Sequence, residues 1–186
     1  AVCRARGRKD AAAFFDSPDI QVVCILTPSG AHLEPALQAI RAGKHLLVEK
    51  PLEINLPRVD AMLDAAQAAR VKVECIFQAR FTEGASVLKA ALDAGRFGRL
   101  CLCSAYIKWH RSAQYYSGWK GTLGMDGGGA VINQSIHAID LLQWLAGMPS
   151  EIFAWKTRRV HLGIEAEDTA CAALRFPDGA LGAIEA

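Results

Sequence analysis

Between residues 20 and 77, three short apolar runs alternate with two amphipathic segments, and this alternation restricts the chain to a small set of folds. Residues 20–26 (IQVVCIL) are rich in β-branched side chains and lack polar alternation, the pattern of a parallel strand buried on both faces. Beyond Thr27-Pro28-Ser29-Gly30, the residues Leu33, Ala36, Leu37 and Ile40 fall at i, i+3, i+4 and i+7. With Pro35 in its first turn and Gly43 at its end, this segment is predicted to be a helix. Residues 45–48 form the second apolar run and lead into Glu49-Lys50-Pro51. Asn55 as N-cap and Pro57 in the first turn open another helix, whose stripe is Val59, Met62, Leu63 and Ala66. Residues 71–77 complete the series, so βαβ units in a parallel sheet are expected.

The pattern changes near residue 79. A helix over 83–94 is closed by Gly95, and longer strands are predicted at 99–109, 151–160, 168–176 and 180–186. Pro177-Asp178-Gly179 between the last two is turn chemistry and predicts an antiparallel hairpin. The expected fold class is α/β plus α+β, with domains at 1–78 and 79–186. The second is read as a mostly antiparallel open sheet with helices on one face.

The 186 residues are 52% hydrophobic, enough to fill a core, and 21 basic and 19 acidic residues leave a net charge of only +2. Nothing in that balance calls for a nucleic-acid or membrane partner. No apolar run approaches the roughly 18 residues that span a bilayer, and the first residues lack a signal-peptide pattern, so a cytoplasmic location is expected. The six cysteines include no C-x-x-C pair and are read as buried, reduced thiols.

Gly127-Gly128-Gly129 precedes a predicted helix over 130–146, stopped by Gly147 and Pro149. Ile132, Ile136 and Ile139 lie on one side of that helix, with Leu142 beside them. Asn133, His137, Asp140 and Trp144 share another stripe, so an amide and an imidazole sit one turn apart. A helical histidine among polar residues is often structural, but the glycines let a backbone or ligand approach closely, which favours a functional role. Lys50 follows a buried parallel strand at its carboxyl end, where open α/β sheets bind ligands. It reads either as a site residue or as an exposed lysine paired with Glu49. A lysine and a histidine at a carbinol supply a proton acceptor and a charge that stabilises an alkoxide, as hydride transfer to a nicotinamide requires.

Thr27-Pro28-Ser29-Gly30-Ala31-His32, Gly43-Lys44-His45 through Glu49-Lys50-Pro51, and Gly127-Gly128-Gly129 through Asn133 and His137 to Asp140 resemble the successive motifs of the Gfo/Idh/MocA family. The resemblance implies a Rossmann-type domain joined to a substrate domain whose open sheet forms a homodimer or homotetramer. It implies NAD or NADP as cofactor and a sugar or nucleotide-sugar substrate. By the same resemblance Lys50, His137 and Asn133 are catalytic, and Thr27, Pro28, His32, Glu49, Gln78, Trp119 and Lys120 lie near the cofactor. Arg111, Tyr115 and Asp140 are expected at the substrate.

The family often carries Asp where this chain has Asn133, which replaces a charge beside His137 with a neutral amide. The Asn-Gln-x-Ile-His wording, with Trp109, Arg111, Tyr115, Tyr116 and Trp119, is most similar to members acting at C3 of UDP-N-acetylamino sugars. Arg111 would then meet a carboxylate or phosphate and the aromatics a base or sugar, the other reading being core aromatics and a solvated arginine. The glycine-rich G-x-G-x-x-G turn of the family does not occur in the sequence, so a partial chain is expected. The basic stretch Arg4 to Lys9 fits a 2′-phosphate contact or a chance cluster. Two rival readings accompany the dehydrogenase: a non-catalytic cofactor-binding regulator, and an enzyme that cleaves or dehydrates glycosides through transient oxidation.

Overall fold

In the computed structural model, which describes residues 14–186, the chain divides into two compact units. One holds Ala31–Ile76 with the residues up to Thr27, and the other holds Phe77–Ala186 with Pro28–Gly30. Arg4 to Lys9 and Cys3 lie outside the described residues.

In the first unit, β1 (Val22–Ile25), β2 (His45–Val48) and β3 (Val73–Cys75) form a parallel sheet in that order. Helices α1 (Leu33–Arg41) and α2 (Leu56–Ala69) connect them. Asn55 caps α2 by accepting the Arg58 N–H at 3.1 Å, and Gly43 leaves α1 with a positive φ of 71°. Val23, Ile25, Leu46 and Val48 are buried against Ile40 of α1 and Met62 of α2. Each such side chain contributes about 1.5–3 kcal/mol of burial.

The expected burial of the strands on both faces is corrected here. β1 alternates exposed and buried residues, with Val22 48% exposed, because both helices pack on one face and no described residue covers the other. Leu63, expected in the α2 stripe, is also exposed, and the half-buried Ala65 packs against the core. The same uncovered faces overturn the expectation of buried thiols: Cys24, Cys101 and Cys171 are exposed, and Cys75 and Cys103 are half-buried.

The second unit carries α3 (Glu83–Asp93), β4 (Leu102–Tyr106), α4 (Ile136–Ala146), β5 (Glu151–Thr157), β6 (Thr169–Arg175) and β7 (Leu181–Glu185). The sheet order is β4-β7-β6-β5, antiparallel except for the β4–β7 pair. The β6–β7 hairpin turns where expected, with Gly179 at φ 90° and the Phe176 N–H bonded to the Ala180 carbonyl at 2.9 Å. Helix α4 packs on β4, and its Leu142 joins Leu174, Phe176 and Ala180 in a small core. The opposite face of the sheet presents Leu102, Tyr106, Phe153, Trp155 and Leu181 to solvent. No helix among the described residues is long and apolar enough to cross a membrane.

Candidate active site

At the carboxyl ends of β1 and β2, two loops are tied together by a histidine. His32 is 1% exposed, with Nε2 2.9 Å from the Thr27 carbonyl and Nδ1 3.0 Å from the Pro51 carbonyl. Each ring nitrogen lies against a backbone carbonyl, and the one that carries the proton donates there, so His32 shapes the two loops from beneath. The Glu53 carboxylate accepts the N–H groups of Leu33 and Ile54 and pairs with Arg58 at 2.9 Å. Burial works to raise the Glu53 carboxyl, but Arg58 and these two N–H groups outweigh it and hold the group below its ordinary range. Above this frame Glu49 and Lys50 are half-buried, and the Glu49 carboxylate accepts the Lys50 backbone N–H at 2.8 Å. The Lys50–Pro51 peptide is cis. Thr27 is exposed and donates its hydroxyl to the Ala31 carbonyl at 2.8 Å.

These residues form a polar rim at the ends of parallel strands, where a dinucleotide is held in open α/β sheets. Their chemistry fits a nicotinamide cofactor: a threonine hydroxyl, a carboxylate and an ammonium on loops fixed by buried contacts.

In the second unit the helix predicted over 130–146 is two structures. Ala130–Ser135 is a π-helical turn, followed by α4. A local bond and a distant residue favour the wide turn: the Ser135 hydroxyl donates to the Ala130 carbonyl at 2.7 Å, and Glu167 gathers the starting N–H groups. The Glu167 side chain accepts from Gly129 and Val131, each at 3.1 Å, and its carbonyl accepts from Ala130 at 2.9 Å. The close approach expected at the glycines is therefore that of a backbone.

Asn133 and Gln134 project from this turn, and the Gln134 amide nitrogen donates to the Asn133 side-chain oxygen at 3.5 Å. The Asn133 amide nitrogen donates to Asp126, which is 2% exposed. Gln134 accepts from Arg111 at 3.1 and 2.8 Å and donates to the Tyr115 hydroxyl at 2.7 Å, which also accepts from Lys120 at 2.7 Å. The Arg111 guanidinium lies over Trp109 and Tyr115, and the Lys120 ammonium over Tyr115 and Trp119. Arg111 and Gln134 line a pocket of about 90 Å³ with Trp109, Tyr116 and His161. Burial, helped by Tyr115 and Asp168, pushes the Tyr116 phenol up, which keeps it a neutral donor.

His137 follows in the first turn of α4, edge-on to Phe77 at 6.4 Å between ring centroids. Asp140 does not join the expected substrate residues. It is 8% exposed and gripped by Arg80, with Nε–Oδ2 at 2.8 Å and Nη2–Oδ1 at 2.5 Å. Gln78 is exposed at the start of a 3-10 turn (Gln78–Phe81), and Pro28 is half-buried in the segment grouped with the second unit.

Asp126, Glu167 and Arg80 escaped the sequence reading, and Gln134 entered it only as part of the Asn-Gln-x-Ile-His wording, without a role. Asp126 and Gln134 had a signal, being adjacent to the glycines and to Asn133, whereas Glu167 lies 38 residues from Gly129 and Arg80 60 from Asp140.

Comparison with known proteins accounts for both units. Residues 4–77 match the oxidoreductase family with an NAD-binding Rossmann fold, and residues 85–186 match the GFO/IDH/MocA C-terminal domain. The crystal structure of the WlbA dehydrogenase from Bordetella pertussis in complex with NADH and UDP-GlcNAcA matches with a TM-score of 0.88 at 33% identity. The match covers 95% of this chain and 55% of that one. Levoglucosan dehydrogenase from Pseudarthrobacter phenanthrenivorans is 29% identical over 198 residues, covering 94% of this chain and 51% of the relative. Myo-inositol 2-dehydrogenase from Thermotoga maritima is 28% identical over 192 residues, covering 95% and 52%. The chain thus spans about half the length of the curated relatives it matches. With its parallel-sheet unit, its mixed-sheet unit and both family matches in agreement, this chain belongs to the GFO/IDH/MocA oxidoreductase family.

Proposed function

We propose that the full-length protein is a nicotinamide-dependent dehydrogenase that oxidises a carbinol of an anionic, nucleotide-linked sugar, with Lys50 and His137 carrying the proton chemistry. The observation that carries the substrate class is the chain of contacts Arg111–Gln134–Tyr115–Lys120. It holds two cations among three aromatic rings, immediately beside Asn133, and suits a phosphate or carboxylate next to a base or sugar ring. The likeness to a dehydrogenase crystallised with NADH and UDP-GlcNAcA supports the same class.

Bound nicotinamide supplies the hydride acceptor. Thr27, Glu49 and the loop backbone shaped by His32 hold that cofactor. His137 takes the hydroxyl proton, and the Lys50 ammonium stabilises the negative charge that develops on the oxygen. The exposed sheet face around Phe153 and Trp155 is assigned to self-association, since an apolar face of that kind marks an interface.

Full-length protein assayed with UDP-GlcNAcA and UDP-GlcNAc should reduce nicotinamide cofactor. Lys50→Ala and His137→Ala should each lower kcat by roughly 10²–10⁴-fold while cofactor binding persists. Full turnover in Lys50→Ala overturns the assignment. Cofactor binding without reduction on any sugar substrate returns the protein to a regulatory role, and product formation without net reduction points to transient oxidation.

A further inference from the structure

The phenol oxygen of Tyr115 has both of its acceptor positions filled by groups that can only donate to it. The Lys120 ammonium, which has no lone pair, donates to that oxygen at 2.7 Å. The Gln134 amide nitrogen donates to the same oxygen at 2.7 Å, and Arg111 fixes which end of the amide does so. Arg111 is a donor only, and its Nε and Nη2 bond the Gln134 oxygen at 3.1 and 2.8 Å, which turns the nitrogen toward Tyr115. The second hydrogen of that nitrogen goes to the Asn133 side-chain oxygen at 3.5 Å. A phenol that accepts twice still carries one hydrogen, and no described residue accepts it from Tyr115. The ring that bears the hydroxyl is held in place. It lies edge-on to Tyr116 at 5.0 Å between centroids, with the Lys120 ammonium 4.0 Å and the Arg111 guanidinium 5.2 Å from its own centroid.

We infer that Tyr115 is a substrate-binding hydrogen-bond donor for an anionic oxygen, and that Gln134 is the positioning residue that sets its polarity. The two side-chain acceptors among Arg111, Gln134, Tyr115 and Lys120 are both filled: the Gln134 oxygen takes two Arg111 N–H groups, and the Tyr115 oxygen takes two N–H donors. What these four residues offer outward is therefore hydrogen alone, from the phenol and from the two cations. An ammonium that donates into the phenol polarises its O–H and strengthens the bond it gives. A carboxylate or phosphate oxygen, which only accepts, suits that place, and an ammonium or amide N–H is turned away. The inference rests on the proposed substrate class and deepens it, naming the residue that meets the anion and the group that aims it.

Titration calorimetry of the full-length protein with UDP-GlcNAcA, UDP-GlcNAc and UDP tests it, in the presence of NADH, with which neither sugar can be oxidised. Tyr115→Phe keeps the ring beside both cations and removes the hydrogen. It should raise the Kd of UDP-GlcNAcA about tenfold or more, with the Kd of NADH within about twofold of the parent. A loss confined to UDP-GlcNAcA assigns the bond to the sugar carboxylate, and an equal loss with all three ligands assigns it to the diphosphate; either supports the inference. A loss with both sugars but not with UDP places the bond on the neutral acetamido group and overturns the anionic oxygen. Gln134→Glu reads the polarity: its carboxylate keeps Arg111 and turns an acceptor toward Tyr115, so the phenol hydrogen is drawn away from the ligand. Gln134→Glu/Tyr115→Phe should then bind less than about twofold more weakly than Gln134→Glu alone. A further loss of about tenfold in the combined variant shows that the added charge only repels the ligand, and overturns the role given to Gln134. Affinities within about twofold of the parent for all three ligands in Tyr115→Phe overturn the donor. A parent protein that binds neither sugar overturns the inference together with the substrate class, whereas one that binds both but reduces no NAD overturns the dehydrogenase reading alone.

Discussion

A β-carbon built on Gly129 would lie 1.8 Å from the carbonyl oxygen of Glu167, so the backbone of one residue occupies the space a side chain of the other would need. The obstacle is backbone that also accepts the Ala130 N–H, and it cannot swing aside as a flexible side chain would. Gly129→Ala in the full-length protein should cost at least about 3 kcal/mol, read as a drop in the urea midpoint. Gly84, in the first turn of α3, is the control: its β-carbon would meet nothing within 4 Å. Gly84→Ala should stabilise by about 0.5 kcal/mol through helix propensity. Equal midpoints for the two variants would discard the close-approach argument.

Arg80 and Asp140 give a prediction that separates structure from substrate binding. The Asp140 side chain is 6% exposed and that of Arg80 33%, so loss of the arginine strands the more deeply buried charge. Arg80→Met should therefore cost more stability than Asp140→Asn, with the former at about 3 kcal/mol and the latter nearer 1–2. The KM for the sugar should change less than twofold in Asp140→Asn. A large rise in that KM with stability intact would restore Asp140 to the substrate site.

The parts of the fold that could be read from sequence are those set by neighbours in the chain. Asn55 caps its helix through a side chain three residues from its partner, and Pro177-Asp178-Gly179 turns the hairpin by local backbone preference. What escaped depends on residues far apart in sequence. The π turn needs Glu167, the burial of Asp140 needs Arg80, and the exposure of Val22 and Cys24 depends on which face of the sheet the helices cover. The candidate residues of each unit divide in the same way. Lys50 at a strand end and His137 on a helix face follow from local pattern, whereas the carboxylate that holds Asn133 comes from a loop whose shape hydrophobic period does not encode.

The histidine beneath the strand-end loops offers a test of action at a distance. His32 joins the loop after β1 to the loop after β2 through backbone carbonyls on both sides of its ring. His32→Leu fills much of the volume but leaves the Thr27 and Pro51 carbonyls without that partner, at a cost of about 1–3 kcal/mol. Because the loops that carry Thr27, Glu49 and Lys50 lose their tie, the dissociation constant for nicotinamide cofactor should rise about tenfold, measured by fluorescence titration. Unchanged affinity in a destabilised variant would show that the loops keep their shape without the bridge.

Asp168 gives the chain a pH-dependent fastening. Burial alone would raise its carboxyl, but the backbone N–H groups of His161, Arg159 and Val160 and the Thr169 hydroxyl outweigh that and hold it at about 2, below the ordinary 3.8. The bonds run from 2.7 to 3.1 Å and gather the loop that brings His161 against Tyr116, 4.7 Å between ring centroids. A carboxyl whose folded value is depressed adds stability that is complete above its unfolded value and disappears as pH falls through the folded one. The window is therefore about pH 4 down to about pH 2, and the contribution above it is on the order of 1–2 kcal/mol once solvent screening of this half-buried group is allowed for. Asp168→Asn accepts fewer of these bonds and carries no charge, so at neutral pH its urea midpoint should fall below that of the parent protein. That gap should be constant from about pH 7 to about pH 5 and shrink at about pH 3. A gap that stays the same across the whole range would assign the effect to lost shape and not to the ionised carboxylate.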